Sequence, residues 1–375
     1  MRKHLLTTFA ALLVASPAFA QSIVIGVSTP VTGVAAAASQ WERWGIELAL
    51  EEINAAGGLL GRKVEVTILD NKCNPSEAVN VANKLVEAKV VAIIGSHCSS
   101  AHLAAMPIIK EAQIPMITGI ASNPQITTLS GVGGNDWAFR INPSDQAMMD
   151  ALGGYLGSKK VFKTVAIVAE DTDYGRGAAA AFKAATAGAG ISIVSTDFHP
   201  QNTPDFTTIL TRIQQRRPDA IATVQLGGDS INFLRNAMQL GLHIPYTGRI
   251  ELGGLNVPII QAGGMEGSIN AWTYSPDIDS PVNKTFVGQI KAKHNSTPYL
   301  QTWGSYDSMR VLAQAIKEAA STDATKLRDT MKKLKFTPVH GKEVAFDDHN
   351  QAGKYVVLQS VKDRKVVVAG IVEVK

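Results

Sequence analysis

Small hydroxyl side chains, a histidine and a cysteine stand together in the segment Gly95–Ser100, which reads GSHCSS. The segment overlaps the end of the short apolar run Val90–Gly95, which is typical of a strand buried on both faces. The alanine-rich segment Ala101–Ala112 favours a helix, although Pro107 predicts a kink or an offset start. Ser99 therefore stands where a helix begins. Free backbone N–H groups at such a point favour an anion such as a carboxylate.

A second small-residue turn follows the next predicted strand. The apolar run Ile114–Thr118 suits a buried strand, and Gly119–Asn123 supplies a turn that Pro124 closes. Ligands of parallel α/β sheets bind outside the carboxyl ends of the strands. We therefore expect the two turns to line one wall of a pocket, with the hydroxyls of Ser99 and Ser122 facing it. Either serine could instead serve only as a helix cap or a turn residue.

The first twenty residues have the pattern of a cleaved export signal. Arg2 and Lys3 precede the apolar core Leu5–Val14, and Ala18–Ala20 forms a small-x-small cleavage pattern. The apolar core is about ten residues long, whereas a membrane span needs about twenty. We therefore predict a signal peptide over residues 1–20 and a periplasmic mature protein.

The two cysteines each follow a predicted strand: Cys73 comes after Val64–Asp70, and Cys98 after Val90–Gly95. Neighbouring parallel strands would bring both turns to one sheet edge, and we expect a disulfide because the export signal directs the chain to an oxidising compartment. Two buried free thiols or a metal pair are the alternatives. Two cysteines without matching histidines make a poor zinc site, so we expect no metal and no cofactor.

Charge and aromatic content exclude two classes of partner. The formal net charge of the 375 residues is +4, and it falls to +2 once Arg2 and Lys3 are removed with the signal peptide. Aromatic residues make up 6% of the chain, which leaves little for stacking on bases. A weak and evenly spread charge argues against binding to nucleic acid or to an anionic membrane.

Strands and helices alternate along most of the chain, which predicts parallel sheets covered by helices on both faces. The alternation breaks at Asn142–Asp145 and then restarts, so that two α/β sets flank the break. Helices dominate from Pro281 onwards. Two β-rich runs, Tyr355–Val361 and Lys365–Val374, predict a C-terminal hairpin that completes the sheet of the other half. The predicted fold class is α/β, with two doubly wound parallel-sheet lobes.

An ordered set of short motifs follows the exported N-terminus. The set comprises Glu51–Gly58 (EEINAAGG), Cys73, Ala78–Leu85 (AVNVANKL), Gly95–Ser100, Ser122–Pro124 and Asp173–Gly175. It resembles the leucine/isoleucine/valine-binding family of ABC-transporter substrate-binding proteins, across essentially the whole mature chain. The resemblance implies a type I periplasmic binding fold, in which three hinge crossings join the lobes. It implies an N-terminal lobe of residues 21–141 and 275–348, and a C-terminal lobe of residues 142–274 and 349–375.

The resemblance also implies which residues would hold an amino-acid ligand. The hydroxyl of Ser99 would bind the α-carboxylate. The backbone of Ile120 and the side chain of Ser122 would bind the ammonium and carboxylate groups; the family often has threonine at the position of Ser122. Tyr174 would close over the ligand from the C-terminal lobe.

Three positions depart from the family pattern. Ala38 or a neighbour replaces an aromatic residue of the first turn, and Leu226 replaces another. At the position where the family has the acid that pairs with the ammonium, this sequence has Ile250, with Arg249 before it and Glu251 after it. If Glu251 points inward, an amino acid is the expected ligand, because a buried ammonium without a carboxylate is costly. If Arg249 points inward, the pocket would favour a ligand with a second acidic or carbonyl group. A pocket with apolar walls alone would suit an aromatic or aliphatic acid without an amine.

The sequence lacks the usual enzyme signatures, namely a GxSxG elbow, an HExxH pair, a Walker loop and a GxGxxG after the first strand. We therefore predict a monomeric binding protein with no catalytic residues. It would deliver a branched-chain or aliphatic amino acid, or a related small carboxylate, to an inner-membrane ABC permease. An aromatic or other organic acid is the alternative ligand. An exported enzyme or a sensory ligand-binding protein is the alternative class, and turnover of a bound ligand would indicate the enzyme.

Overall fold

The computed structural model describes residues 21–374. The predicted signal peptide, residues 1–20, lies outside the described residues. Within residues 21–374, no helix is both long and apolar enough to cross a membrane.

The first sheet has five parallel strands in the order β2-β1-β3-β4-β5. The strands are β1 (Ile23–Thr29), β2 (Val64–Asp70), β3 (Ala92–Ile94), β4 (Met116–Thr118) and β5 (Ala138–Arg140). Alternate residues of β1 point to opposite faces: Ile25 and Val27 belong to one apolar core and Val24 packs against another. Apolar side chains on both faces of a strand are typical of a parallel sheet covered by helices on both sides.

Seven helices accompany the first sheet. They are α1 (Ala36–Ala55), α2 (Pro75–Glu87), α3 (Ser99–Ala112), α4 (Pro124–Leu129), α10 (Pro281–His294), α11 (Leu300–Ala319) and α12 (Ala324–Met331). Helices α1, α10 and α11 bury their apolar faces in one core, and α2 and α3 in the other. The first sheet and these helices are called the N-lobe below.

The second sheet has four parallel strands in the order β7-β6-β8-β9. Its strands and flanking helices are α5 (Asp145–Lys159), β6 (Thr164–Glu170), α6 (Asp173–Ala187), β7 (Ser192–His199), α7 (Thr207–Arg216), β8 (Ala220–Val224), α8 (Gly227–Gln239), β9 (Tyr246–Gly248) and α9 (Val257–Gln261). Val165 and Ile167 of β6 pack with α5 and α6, whereas Ala166 and Val168 pack with α7 and α8. This sheet too is covered on both faces.

A third, antiparallel sheet lies beside β9. It consists of β10 (Ile269–Trp272), β13 (Tyr355–Lys362) and β14 (Lys365–Glu373), in the order β10-β13-β14. Strands β13 and β14 form the predicted C-terminal hairpin, which is confirmed. The second and third sheets with helices α5–α9 are called the C-lobe below.

The chain passes between the lobes three times. It leaves the N-lobe after β5, returns after β10, and crosses again before β13. The predicted fold class, two doubly wound α/β lobes joined by three crossings, is confirmed. The residue boundaries assigned to each lobe stay predictions.

Several elements differ from the sequence-based expectation. The sequence pattern predicts a helix over Trp41–Asn54, whereas α1 spans Ala36–Ala55. Helix α3 runs through Pro107 without ending. Helix α4 was not predicted: the side chain of Asn123 accepts the backbone N–H of Gln125 at 2.7 Å, and Pro124 follows as the first helical residue. A cap followed by proline is a helix start, although the same residue types also favour a turn. The short strands β11 (Lys335–Phe336) and β12 (Val344–Ala345) were also missed.

Two glycines let the turn after β4 touch helix α11. A Cβ on Gly119 would overlap the backbone of Gly304, and a Cβ on Gly304 would lie 2.5 Å from the carbonyl oxygen of Gly119. Neither position has room for a larger residue. Helix α11 therefore sets where this turn lies.

Candidate functional site

A narrow cavity of 50 Å³ lies between the lobes, at the carboxyl ends of strands from both parallel sheets. All seven residues predicted to contact a ligand line it, namely Ser99, Ile120, Ser122, Tyr174, Leu226, Arg249 and Glu251. Eight further residues complete the lining: Ala38, His97, Cys98, Gln225, Gly227, Trp272, Leu300 and Gln301. The structure thus brings the predicted residues together, and their role in binding stays a prediction.

The predicted disulfide between Cys73 and Cys98 is present, with a Cα–Cα distance of 5.4 Å. It ties the turn after β2 to the start of helix α3. Cys98 is the N-cap of α3 and provides no side-chain hydrogen bond to the first turn. Backbone N–H groups at this helix start are therefore open to an anion, as the helix dipole favours.

Ser99 is buried and its oxygen is already used as an acceptor. The backbone N–H groups of Ser122 and Asn123 donate to Ser99 Oγ at 3.3 and 3.2 Å. A hydroxyl that accepts two hydrogen bonds still has its own proton to donate. Ser99 is thus suited to donate to a carboxylate in the cavity.

The second turn is held in place by Thr118 at the end of β4. The backbone N–H groups of Ile120 and Ala121 both donate to Thr118 Oγ1, at 3.2 Å. Ser122 is 2% exposed and its side chain lies beside the carboxyl of Asp145. These bonds fix the turn before any ligand arrives.

His97 belongs to a buried polar cluster that the sequence did not reveal. Its Nδ1 lies 2.6 Å from Glu42 Oε1, and Thr29 Oγ1 donates to Glu42 Oε2 at 2.8 Å. Glu42 comes from helix α1, far from His97 in the chain. The pairing orients the imidazole that lines the cavity.

Tyr174 stands at the start of helix α6, on the C-lobe side of the cavity. The side chain of Thr172 caps this helix by accepting the N–H of Gly175 at 3.2 Å. Burial raises the pKa of Tyr174 above its ordinary value, so the phenol stays protonated at neutral pH. Its hydroxyl can therefore donate to an anionic ligand.

Arg249 is held by groups of the protein itself. Its Nε lies 2.9 Å from Asp145 Oδ1, and its Nη1 donates to the carbonyl of Ala271 at 3.0 Å. The guanidinium also lies 4.4 Å from the centre of the Trp272 ring. Burial raises the pKa of Asp145, and Arg249 opposes that rise. Arg249 thus neutralises a buried acid.

Glu251 lines the cavity, one residue beyond Ile250, the position at which the family pattern places the acid. Ile250 belongs to the apolar core between α7, α8 and the second sheet, whereas Arg249 and Glu251 line the cavity. Burial raises the pKa of Glu251 to about 7, against the opposing effects of His97 and Arg249. A ligand cation beside this carboxyl would favour its charged form.

Glu170 supports the turn that carries Leu226. The backbone N–H of Leu226 donates to Glu170 Oε1, and Gln201 Nε2 donates to Glu170 Oε2 at 3.2 Å. Burial raises the pKa of Glu170 to about 7, although both hydrogen bonds lower it. Gln225, beside Leu226, also lines the cavity and was missed. The signal that could have identified Gln225 is its place as a polar residue just past the carboxyl end of a parallel strand.

A second cavity of 180 Å³ adjoins the first and shares Glu251, Trp272 and Leu300 with it. Its other walls include the apolar residues Leu252, Val257, Tyr274, Pro276, Pro298, Tyr299 and Val366. Among the described residues, no group of three or more His, Cys, Asp or Glu side chains is placed to hold a metal ion.

Residues 22–365 match a protein family described as "Periplasmic binding protein". A leucine-, isoleucine-, valine-, threonine- and alanine-binding protein of Pseudomonas aeruginosa is 28% identical over 332 residues, which cover 88% of this chain and 87% of that protein.

Many solved structures have similar folds, and two of them are described here. A branched-chain amino acid transporter substrate-binding protein of Streptococcus pneumoniae, in complex with isoleucine, has a TM-score of 0.85 and 27% identity, covering 94% of this chain and 100% of that one. A solute-binding protein of R. palustris, in complex with benzoate, has a TM-score of 0.85 at 21% identity, covering 94% and 97%. At that identity the second likeness concerns the fold alone.

Proposed function

The chain belongs to the periplasmic binding protein family, and from this premise we propose that it is the solute-binding component of an ABC importer. Its solute is an amino acid with an aliphatic side chain, of the branched-chain type. The protein is exported through cleavage of residues 1–20, binds the amino acid between its lobes as a monomer, and delivers it to an inner-membrane permease. It performs no chemistry on the solute.

The observation that carries this proposal is the distribution of donors and acceptors across the cavity. On the N-lobe side, the hydroxyl of Ser99 and the uncapped start of α3 are donors. On the C-lobe side, the Glu251 carboxyl is an acceptor, and Arg249 is engaged by Asp145. An α-amino acid presents a carboxylate and an ammonium group on one carbon, and these two charges match the two sides.

The remaining walls suit an aliphatic side chain. Leu226, Trp272 and Leu300 line the cavity, and the last two continue into the adjoining apolar cavity. Each Å² of apolar ligand surface buried there contributes about 25 cal/mol to the free energy of binding. The relatives agree with this class: the Pseudomonas aeruginosa protein is named for five small or aliphatic amino acids, and the Streptococcus pneumoniae structure contains isoleucine.

Contacts between the lobes support a binding mechanism based on closure. Asn123 Nδ2 donates to the carbonyl of Asp173, and the N–H of Asp173 donates to Ser100 Oγ at 3.3 Å. These bonds join the N-lobe turns to the start of α6 in the C-lobe. A ligand that touches both lobes favours the state in which the bonds are made, and so shifts the population towards closure.

The test is a binding screen with the purified mature protein, freed of ligand by unfolding and refolding. L-leucine, L-isoleucine and L-valine are compared with 4-methylpentanoate, which is leucine without its amine, and with benzoate. We expect the amino acids to raise the midpoint temperature of unfolding. At a ligand concentration of one hundred times Kd, the free energy of unfolding should rise by about 2.7 kcal/mol. Calorimetry should confirm one site per chain. Binding of benzoate or 4-methylpentanoate with no response to any amino acid would refute the proposal and support the amine-free acid instead.

A further inference from the structure

We propose that the side-chain oxygen of Gln225 is an acceptor for the ligand's ammonium group, and that His199 holds the carboxamide in the orientation this requires. The inference rests on the proposed amino-acid ligand and adds two residues to the recognition of its amine. Neither residue belongs to the set predicted from the sequence.

Gln225 has one side-chain atom without a hydrogen-bond partner. It directly follows strand β8, lines the interlobe cavity and is 8% exposed. Its Oε1 is buried, and no donor among residues 21–374 reaches it. A buried acceptor left without a hydrogen bond has an unfavourable free energy of desolvation. A ligand that supplies a donor at this point removes that cost.

The hydrogen bonds of His199 decide which end of the carboxamide is the oxygen. His199 Nδ1 lies 2.8 Å from the carbonyl oxygen of Pro200, which only accepts, so Nδ1 carries the proton. Burial lowers the pKa of His199, and the ring is therefore neutral with a bare Nε2. Gln225 Nε2 lies 3.0 Å from that nitrogen and donates to it. The oxygen is consequently the atom that stays free.

His199 is itself fixed. It is 2% exposed, ends strand β7 opposite Glu170 of β6, and packs edge-on against Phe206 with the ring centroids 4.7 Å apart. A rigid partner keeps the Gln225 amide from rotating. The acceptor is thus set in place before the ligand arrives, which reduces the cost of ordering it on binding.

The ammonium group explains why the site needs this acceptor. An ammonium has three N–H donors. The Glu251 carboxyl and the Ser122 hydroxyl line the cavity and provide two acceptors. The Ile120 carbonyl already receives a hydrogen bond of 3.3 Å from Asn142. Gln225 Oε1 supplies the third. With it, each N–H of the ligand has a partner in the cavity.

The test compares Gln225→Met with the wild type, because methionine keeps the length of the side chain and removes the acceptor. Calorimetry measures Kd for L-leucine and for 4-methylpentanoate, and the readout is the ratio of the two. We expect the preference for leucine to fall about tenfold in Gln225→Met, with the affinity for 4-methylpentanoate changed by about twofold or less. His199→Phe keeps the packing on Phe206 and should lose part of the preference, because the amide can then adopt both orientations. Gln215→Met, at an exposed position on α7, is the matched control and should leave the ratio unchanged.

The roles of Gln225 and His199 can be refuted separately. An unchanged ratio in Gln225→Met, with the variant folded by circular dichroism, overturns the role of Gln225 and leaves the proposed function standing. A full wild-type ratio in His199→Phe overturns the positioning role of His199. If the wild type binds 4-methylpentanoate as tightly as leucine, or binds no amino acid, both the inference and the amino-acid proposal are refuted.

Discussion

Arg249 and Asp145 form an ion pair with almost no exposure to solvent, 2% and 0% of the two side chains, with Nε and Oδ1 2.9 Å apart. Asp145 begins helix α5, just after the first crossing from the N-lobe, and Arg249 follows strand β9. The pair therefore links the crossing to the wall of the cavity. Each charge stabilises the other, because either one alone would be a buried charge without a partner.

Replacing Arg249 alone should destabilise the protein strongly. We expect Arg249→Met to lower the free energy of unfolding by about 3–5 kcal/mol, and the double variant Arg249→Met/Asp145→Asn to recover much of that loss. Urea denaturation of the ligand-free proteins measures both values. The loss should also shrink at low pH: burial holds the pKa of Asp145 above its ordinary value, and an acid protonated in the native state needs no partner. A single variant as stable as the wild type at pH 7 would contradict this account.

The Ser99 hydroxyl should contribute directly to affinity. We expect Ser99→Ala to weaken binding of L-leucine by about 1–3 kcal/mol, because a carboxylate loses a donor inside a closed cavity. Isothermal titration calorimetry gives the change in Kd.

Ser96→Ala is the matched control for Ser99→Ala. Ser96 lies in the same turn, but its hydroxyl bonds to Ser28 and Asn71 and does not line the cavity. The control should change stability more than affinity. Equal effects of both substitutions on Kd would remove Ser99 from the site.

Gly177 lies where the lobes meet, and enlarging it should oppose closure. A Cβ at Gly177 would lie 2.6 Å from Asn123 Nδ2. Asn123 cannot easily move away, because its amide also caps α4 and bonds to Asp173. We expect Gly177→Ala to weaken ligand binding about fivefold, the equivalent of about 1 kcal/mol of overpacking.

The stability of the ligand-free Gly177→Ala protein should stay equal or rise, since alanine favours a helix. Gly154→Ala is the control, because Gly154 is also helical and a Cβ added there would meet nothing within 4 Å. Calorimetry measures affinity, and small-angle scattering measures closure with ligand. Unaltered affinity in Gly177→Ala would show that the lobes do not approach as described.

Glu170 should make stability depend on pH. Its pKa is raised by burial to about 7 from an ordinary value of 4.5. Between these values the native state holds a proton that the unfolded chain releases, so stability falls as the pH rises through this window. We expect Glu170→Gln to match the wild type near pH 4.5 and to be more stable by about 3 kcal/mol at pH 8.

Urea unfolding of ligand-free protein across this range measures the difference between variant and wild type. The pKa of Glu251 lies in the same pH window. Because Glu251 is present in both proteins, its contribution cancels in the difference between them. A difference that stays constant with pH would mean that Glu170 is ionised in the native state throughout.

The sequence was sufficient for the fold because apolar runs and turn residues are local signals. The alternation of strands and helices, the C-terminal hairpin and the Cys73–Cys98 bridge all follow from such patterns. Helix α4 had a local signal too, in Asn123 and Pro124. The helix was missed because asparagine and proline are also common in turns.

Pairings between distant segments could not be predicted. His97 meets Glu42, and Arg249 meets Asp145, through the way separate elements pack. Spacing along the chain contains no trace of either contact. The orientation of Gln225 depends on His199 in the same way. The site was therefore predictable as a set of turns, whereas the ionic and hydrogen-bonded partners behind those turns were not.

The backbone contact between Gly119 and Gly304 has a consequence for biosynthesis. The turn with Ile120 and Ser122 rests against a helix that is translated much later, so an emerging polypeptide that ends before α11 contains the serines and lacks the support that places them. Solute capture thus has to wait until nearly the whole polypeptide has been made and folded.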